Sequence, residues 1–485
     1  ATCRLSRLVF PLESHRAIEP VGQKNTPCTR SNTALAFPVD SLLVPPPCVY
    51  RSTLNMASSG PPLRKFDLPP ESELRLEVDW KATVVVVLVK GTAEVFGSEV
   101  ALEQELTFKG CKLAIFTWHG AVIHVRGETE QGGHVYVADE TPMRAYINTH
   151  AVLQARREAA RDAGASGQTD RDKAPPITMV VGPTDSGKSS LVKLLTNYAV
   201  REDWKPLLVD LDLGQGMFAL PGAIAATLVE RPIDAIHGVA MDAPLVYYYG
   251  AASPQEGPEY YSFLVDRLAE TLKERLAPPE AKAAGAFINT MGWVDGMGYQ
   301  LLVHSAKALG VNVILVLGQD RLHSELEQEF RKSDGVDVVK LSKSGGVVTR
   351  PREYRKSSRD KRIQEYFYGV DDNLRVTTRT AFFSDMAVYR VGGAFRAPAS
   401  ALPLGAEPAA NPMRVVPVQW SRELVHSVLA VSHAQKAEDV VAANVAGFLW
   451  VTDVDTARGT ITYHAPCAGP LPSTILIMGD LKFYE

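Results

Sequence analysis

The stretch GPTDSGKS, residues 182–189, constrains this chain more than any other. It matches the spacing GxxxxGK[ST]. The apolar run ITMVV (177–181) precedes it, and the periodic run SSLVKLLTNYAVRE (189–202) follows. Strand, glycine loop and helix in that order are the context such a motif requires. The geometry sets the chemistry. Gly182 and Gly187 let the backbone wrap a phosphate, so that successive N–H groups and a helix N-terminus point at the anion. In this pattern Lys188 reaches the β- and γ-phosphates, and Ser189 supplies a hydroxyl to Mg²⁺. The loop therefore implies a nucleoside triphosphate. It leaves open whether water or another hydroxyl receives the phosphoryl group.

The surrounding pattern fits an α/β class. ITMVV, PLLVDLD, GAFINT, VNVILVLG and VDVVKL read as strands. SSLVKLLTNYAVRE and PEYYSFLVDRLAETLKERL read as helices between them, the signature of a P-loop NTPase-type parallel sheet covered on both faces. Before this core, ELRLEVDW, TVVVVLVKGTAEVFG, LTFKGCKLAIFTWHGAVIHVRG and HVYVAD alternate or run apolar between glycines, as in a small antiparallel β domain. TPMRAYINTHAVLQARREAARDAG then has helical period from about Pro142 to Ala163, and GASGQTDRDKAPP is a polar linker. Beyond QEYFYG the runs AFFSDMAVYRVGG, MRVVPVQW, AGFLWVTDVD, GTITYHAP and STILIMGDLKFYE suggest a third, mainly β domain. The expected division is an extension (1–60), an N-terminal β domain (61–143), a helix and linker (144–175), a P-loop domain (176–369) and a C-terminal mainly β domain (370–485).

Composition excludes some functions. The 485 residues carry a formal net charge of −4, so nucleic acid would be met at a local basic site and not by bulk charge. No apolar run reaches the roughly 18 residues of a membrane span. The five cysteines contain no CxxC, which indicates neither a zinc site nor a disulfide framework and fits a reducing compartment. The first sixty residues are rich in Pro, Ser, Thr and Arg, with Glu13, Glu19 and Asp40 as their acids. Two readings stand for them: a disordered tail or translated upstream sequence with Met56 as the natural start, or an organelle transit peptide.

Further chemistry gathers at strand ends, where open α/β sheets bind ligands. Asp212 closes the PLLVDLD run. It is a candidate for holding Mg²⁺ or taking a proton from an acceptor hydroxyl; the alternative is a strand-end Asp that caps a turn. Asp210 lies one pleat further inside and reads as structural. Asn289 and Thr290 end the third strand, and Trp293 follows in a glycine-rich loop, either packed or exposed for stacking on a base. RPREYRKSSRDKR, residues 350–362, holds seven cations and two anions. Pro351 disfavours helix at Arg350. Arg352, Arg355, Arg359 and Arg362 then recur on one helical face, which Ile363 and Tyr366 extend towards packing. Beside a P-loop and after the hinge-like KSGGV, this helix reads as a cationic lid and not as a solvated face.

The motifs VVGPTDSGKSSLVKLLTNYAV, LDLGQG, ERPID, APLVYYYG, INTMGWVDGMGYQLLVHSA and KSGGVVTRPREYRKSSRDKRIQEYFYG together resemble the eukaryotic Clp family of polyribonucleotide 5′-hydroxyl kinases. These are the subunit of pre-mRNA cleavage factor II, unrelated to the Clp proteases. ELRLEV, GTAEVFGSE and KLAIFTWHG extend the resemblance into the first domain, and VAGFLWVT and GPLPSTILIMGDLKF into the last. The resemblance implies ATP bound between the first two domains, with Glu73 and Lys112 at the base, and Asp185, Ser186, Gly187, Lys188, Ser189 and Ser190 at the phosphates. It implies Asp212 as catalytic carboxylate, Trp293 against RNA, and Arg350 and Arg355, with Arg359 in support, as lid cations. Lys188, Asp212, Arg350 and Arg355 are then the catalytic set, Trp293 and Arg359 the RNA set, and Ser189 and Asp212 the Mg²⁺ set. The implied partners are RNA with a 5′-hydroxyl end, cleavage factor II subunits and the tRNA splicing endonuclease complex, with no membrane; the implied compartment is the nucleus. Some members of the family bind ATP without kinase activity, so the alternative is a non-catalytic ATP-binding adaptor of the mRNA 3′-end cleavage complex. A P-loop NTPase transferring to water is a third reading, for which no switch or motor element is found.

Overall fold

The computed structural model describes residues 63–127, 133–166, 173–240, 243–275, 279–331, 335–392 and 413–485. The readings of the first sixty residues, and the middle of the linker, fall outside them. Gly60–Glu485 is one compact unit.

The first nine strands are β1 (Arg64–Leu68), β2 (Ser72–Val78), β3 (Thr83–Gly91), β4 (Glu94–Val95), β5 (Ser98–Glu99), β6 (Glu105–Lys109), β7 (Lys112–Thr117), β8 (Ala121–Gly127) and β9 (Gly133–Val137). They form two antiparallel sheets, ordered β1-β8-β3-β6 and β5-β4-β7-β2-β9. Alternation explains the layering. Val84, Val86 and Leu88 of β3 turn inward and meet Leu74 and Leu76 of β2 and Ile115 of β7 in one apolar core, so the sheets stack as a sandwich. Helix α1 (Met143–Ser166) follows. It buries Arg157, whose Nε donates to the Ala284 carbonyl (3.0 Å) while the guanidinium lies over the Phe287 ring.

The central elements are β10 (Ile177–Val181), α2 (Lys188–Arg201), β11 (Leu207–Asp210), β12 (Ala223–Leu228), β13 (Leu245–Tyr248), α3 (Pro258–Arg275), α4 (Pro279–Ala284), β14 (Ala286–Asn289), α5 (Met297–Ala308), β15 (Val313–Leu317), α6 (Asp320–Phe330), β16 (Asp337–Leu341) and α7 (Arg352–Tyr368). The sheet order is β13-β12-β11-β14-β10-β15-β16. The five strands read from the sequence pair in parallel. Strands β12 and β13 add an antiparallel edge that the pattern did not reveal, because AIAATL is a short run of small residues without alternation. β10 lies between β14 and β15, so its loop emerges where the strand order doubles back, the usual ligand crevice.

The remaining strands are β17 (Thr377–Phe382), β18 (Ala387–Val391), β19 (Val415–Pro417), β20 (Ser427–Ser432), β21 (Val445–Asp455), β22 (Thr460–Ala465) and β23 (Ile475–Lys482). Their order is β17-β22-β21-β20-β23-β18-β19. β20, SVLAVS, also escaped the sequence reading. Every residue in it is buried, since Val428 and Ala430 face the core shared with the P-loop domain while Leu429 and Val431 face the local core. A strand covered on both faces shows no polar alternation.

Candidate functional site

The loop between β10 and α2 owes its shape to three residues. Gly187 takes a left-handed conformation (φ 94°) immediately before α2. Asp185 also has positive φ (56°), which a short polar side chain tolerates. At Gly182 a Cβ would lie 2.8 Å from Ser186 Oγ and 2.9 Å from the Leu317 carbonyl. The Ser186 hydroxyl is buried and has no hydrogen-bond partner among the described residues. The Lys188 ammonium donates to the Gly182 and Pro183 carbonyls, each at 2.9 Å. Burial pulls its pKa down to about 8, against the opposing charges of Asp212 and Asp185. A left-handed glycine cradle, an unpartnered hydroxyl and a buried lysine at a helix N-terminus fit a triphosphate.

Two carboxylates sit beneath the loop in different settings. Asp210 ends β11 and is buried. Its Oδ1 accepts from Asn289 Nδ2 (2.9 Å), and its Oδ2 accepts from the Met217 amide. Asn289 Oδ1 in turn accepts from Ser189 Oγ (3.3 Å). Burial and neighbouring Asp212 raise the Asp210 pKa to about 6. Asp212 lies two residues beyond the strand. Its Oδ1 accepts the amides of Gly214 (2.9 Å) and Gln215 (3.0 Å), so it does cap a turn. Its Oδ2 makes no hydrogen bond among the described residues. Burial raises its pKa, with Lys188 opposing. Ser189 Oγ and the Asp212 carboxylate are hard oxygen donors on one cavity, a set that suits Mg²⁺. The Asp210–Asn289 link was missed by sequence reading. The register that sets Asp210 opposite Asn289 is a tertiary fact, although polar residues ending two apolar strands were the visible signal.

The lid is fastened more firmly than a hinge suggests. Pro351 is extended (ψ 164°) and α7 starts at Arg352, leaving Arg350 just outside the helix. The Arg350 amide (2.9 Å) and Arg355 Nη2 (2.8 Å) both donate to Asp185 Oδ2. Burial would raise the Asp185 carboxyl, but these bonds and charges outweigh it and hold it below the usual range. The cations of α7 divide by partner. Lys361 and Arg362 pair with Glu365, and Arg355 pairs with Asp185. Arg350 stacks on Tyr354, while Arg359 lines the cavity. Ile363 and Phe367 form the buried side of the helix; Tyr366 is half-buried and bonds the Phe448 amide.

The sandwich supplies the opposite wall. Glu73 is buried; Arg75 Nε donates to its Oε1 (2.6 Å) and Thr141 to its Oε2 (2.8 Å). Arg75 Nη2 donates to Glu140 Oε1 (2.7 Å), which also accepts the Gly345 amide (2.9 Å). A Cβ at Gly346 would lie 2.7 Å from Arg75 Nε. The KSGG segment is thus clamped to the sandwich by one buried arginine. Lys112 pairs with Glu77 at 3.2 Å. Trp293 packs over Gly298, where a Cβ would meet its ring at 2.5 Å, and also lines the cavity.

All these walls enclose one cavity of about 560 Å³. Glu73 and Lys112 lie on one side, residues 185–190 and Asp212 on the floor, and Trp293, Arg350, Arg355 and Arg359 around the rest. Arg75, Tyr146 and Gln215 line it as well, although no motif marked them. Among the described residues no group of three or more His, Cys, Asp or Glu forms a further metal cluster.

Fold and site define a P-loop nucleotide-binding protein flanked by a β sandwich and a mainly β domain. Three family models match it: "mRNA cleavage and polyadenylation factor CLP1 P-loop" over 182–369, "N-terminal beta-sandwich domain of polyadenylation factor" over 67–160, and "Pre-mRNA cleavage complex II protein Clp1" over 377–485. The chain belongs to the Clp1 family. It is 48% identical to a "Protein CLP1 homolog" of Arabidopsis thaliana, across 87% of this chain and 95% of that protein. It is 41% identical to the Homo sapiens protein named "Polyribonucleotide 5'-hydroxyl-kinase Clp1", across 87% and 97%. The fold is shared with Clp1p solved in complex with Pcf11p, at TM-score 0.72 and 22% identity over 87% of this chain and 99% of that one.

Proposed function

We propose that this chain is an ATP-dependent polynucleotide kinase that phosphorylates the 5′-hydroxyl of RNA. The observation that carries the reading is the convergence of P-loop, unbonded carboxylate oxygen, loop tryptophan and cations on one cavity. The relatives named polyribonucleotide 5′-hydroxyl kinase support it. In this reading Asp212 takes the proton of the 5′-hydroxyl, the freed oxygen attacks the γ-phosphorus, and the β–γ bridge bond breaks to leave ADP. Lys188, the loop amides and Ser190 hold the phosphates, and Glu73 and Lys112 meet the base. Arg350 and Arg355 balance charge on the transferring oxygens, where positioned cations act most strongly. Ser189 and Asp212 would hold Mg²⁺, which would supply further charge neutralisation to the phosphates. Trp293 and Arg359 hold the RNA end.

The same reading assigns the chain to pre-mRNA 3′-end cleavage and polyadenylation in the nucleus, with cleavage factor II subunits as partners and the tRNA splicing endonuclease complex as a further one. It includes a division into domains at 60, 143, 175 and 369. The test is transfer of labelled phosphate from ATP to 5′-hydroxyl RNA. Transfer is expected, and EDTA should stop it. Lys188→Ala and Arg355→Ala should abolish it. Asp212→Asn, which keeps a turn-capping oxygen, should lower it by about 10²- to 10⁴-fold without moving the melting midpoint. Retained ATP binding without transfer would leave the adaptor reading, and phosphate release independent of RNA would leave an NTPase.

A further inference from the structure

A second groove of about 250 Å³ opens beside the catalytic cavity. Arg359 and Ala252 line both, so the two adjoin at these residues. One wall is the face of α7 that carries Lys356, Arg359 and Asp360; the other is the end of β23, with Asp480, Leu481 and Lys482. The floor is rigid. The Asp480 amide donates to the Gly250 carbonyl (2.7 Å), and a Cβ at Gly479 would lie 2.2 Å from that oxygen. Backbone meets backbone here, which only glycine permits.

Charge distinguishes this groove from an ordinary seam. Lys356 and Arg359 have no ion pair among the described residues, while three other cations of the same helix are paired. Among the described residues Lys482 bonds only a neutral carbonyl, that of Glu423 (3.0 Å). Of the two acids, Asp480 is offset by Arg390 at 3.1 Å. Asp360 has no ion pair among the described residues, so the groove presents three unpaired cations, Lys356, Arg359 and Lys482, against one unpaired carboxylate and keeps a positive balance.

We propose that this groove is a subsite for the phosphodiesters downstream of the acceptor's second nucleotide, with Lys356 and Lys482 as its phosphate-binding groups. The proposal rests on the kinase reading. It makes the C-terminal domain part of the RNA path: the strand enters over β23, passes between Lys482 and Lys356, and presents its 5′ end beyond Arg359 to Asp212. Contacts of this kind read backbone charge and not sequence, so they favour long acceptors of any sequence.

The experiment compares a 5′-hydroxyl dinucleotide with a 5′-hydroxyl decanucleotide as acceptors. In Lys356→Gln/Lys482→Gln the ratio of decanucleotide KM to dinucleotide KM should rise about tenfold. An unchanged ratio overturns the subsite. Binding of a 3′-fluorescein decanucleotide, followed by anisotropy against salt, reads the same site without any transfer. The slope of log K should shrink by about 1.4, roughly 0.7 for each cation lost. An unchanged slope overturns the subsite. Wild-type protein that binds the probe with this slope but transfers no phosphate would instead overturn the kinase reading alone.

Discussion

Lys188 shows what one residue contributes before any ligand arrives. Its ammonium is buried among the carbonyls of its own loop, and burial lowers its pKa to about 8. A triphosphate attracts the protonated form. As pH rises through 8, the free protein loses the proton that binding needs, and affinity should fall. Titration with a fluorescent ATP analogue at pH 7, 8, 9 and 9.5 should show Kd rising towards tenfold per unit above pH 8. Lys188→Met should bind weakly with no such step; a step of equal size in that variant would refute the assignment. The loop residues were legible in the sequence because they are contiguous and their spacing is itself the geometry. Arg75 was not. Its partners Glu73 and Glu140 lie two and sixty-five residues away, and only the fold makes them neighbours.

At the scale of elements, the sequence announced those with one clean period. The parallel strands and α7 were visible, whereas β12, β13 and β20, short and covered, lacked the contrast that reveals a strand. The link between β2 and the KSGG segment is a property of no single element. Arg75 is buried, whereas most of the Glu140 side chain is exposed. Removing the buried partner should therefore cost far more than removing the exposed one. Arg75→Gln strands the Glu73 carboxylate and should destabilise the fold by about 3 kcal/mol. Glu140→Gln should cost under about 1 kcal/mol. Urea unfolding followed by tryptophan fluorescence checks the pair. Equal losses would mean that the cluster is not held from its buried end.

Across the whole molecule, function depends on how the sheets are joined. The sandwich meets α2 through buried Glu94, which accepts from Tyr198 and Arg201, and through Asn197 Nδ2 donating to the Phe96 carbonyl (2.8 Å). The C-terminal sheet meets the P-loop domain through β20, β21 and the Gly250–Gly479 contact. Gly479→Ala must push that contact apart, at a cost of about 1–3 kcal/mol. Hydrogen exchange should quicken in β23 and β20 and stay unchanged in β2 and β7; uniform quickening would refute a local joint. None of these joints was legible in the sequence, since each depends on residues from separate patterns meeting in space.

Helix α7 has a consequence for how substrates enter. Tyr354 donates to the Gly110 carbonyl in the sandwich (2.9 Å), Arg355 grips the P-loop through Asp185, and Tyr366 takes the Phe448 amide in β21 (2.9 Å) while Ile363 and Phe367 sink into the shared core. A strut bolted to three beams does not swing. Turning that helix as a door would break all three links at once, and the strip before it is itself tied at Ser342 by Tyr146, at Gly345 by Glu140 and at Arg350 by Asp185.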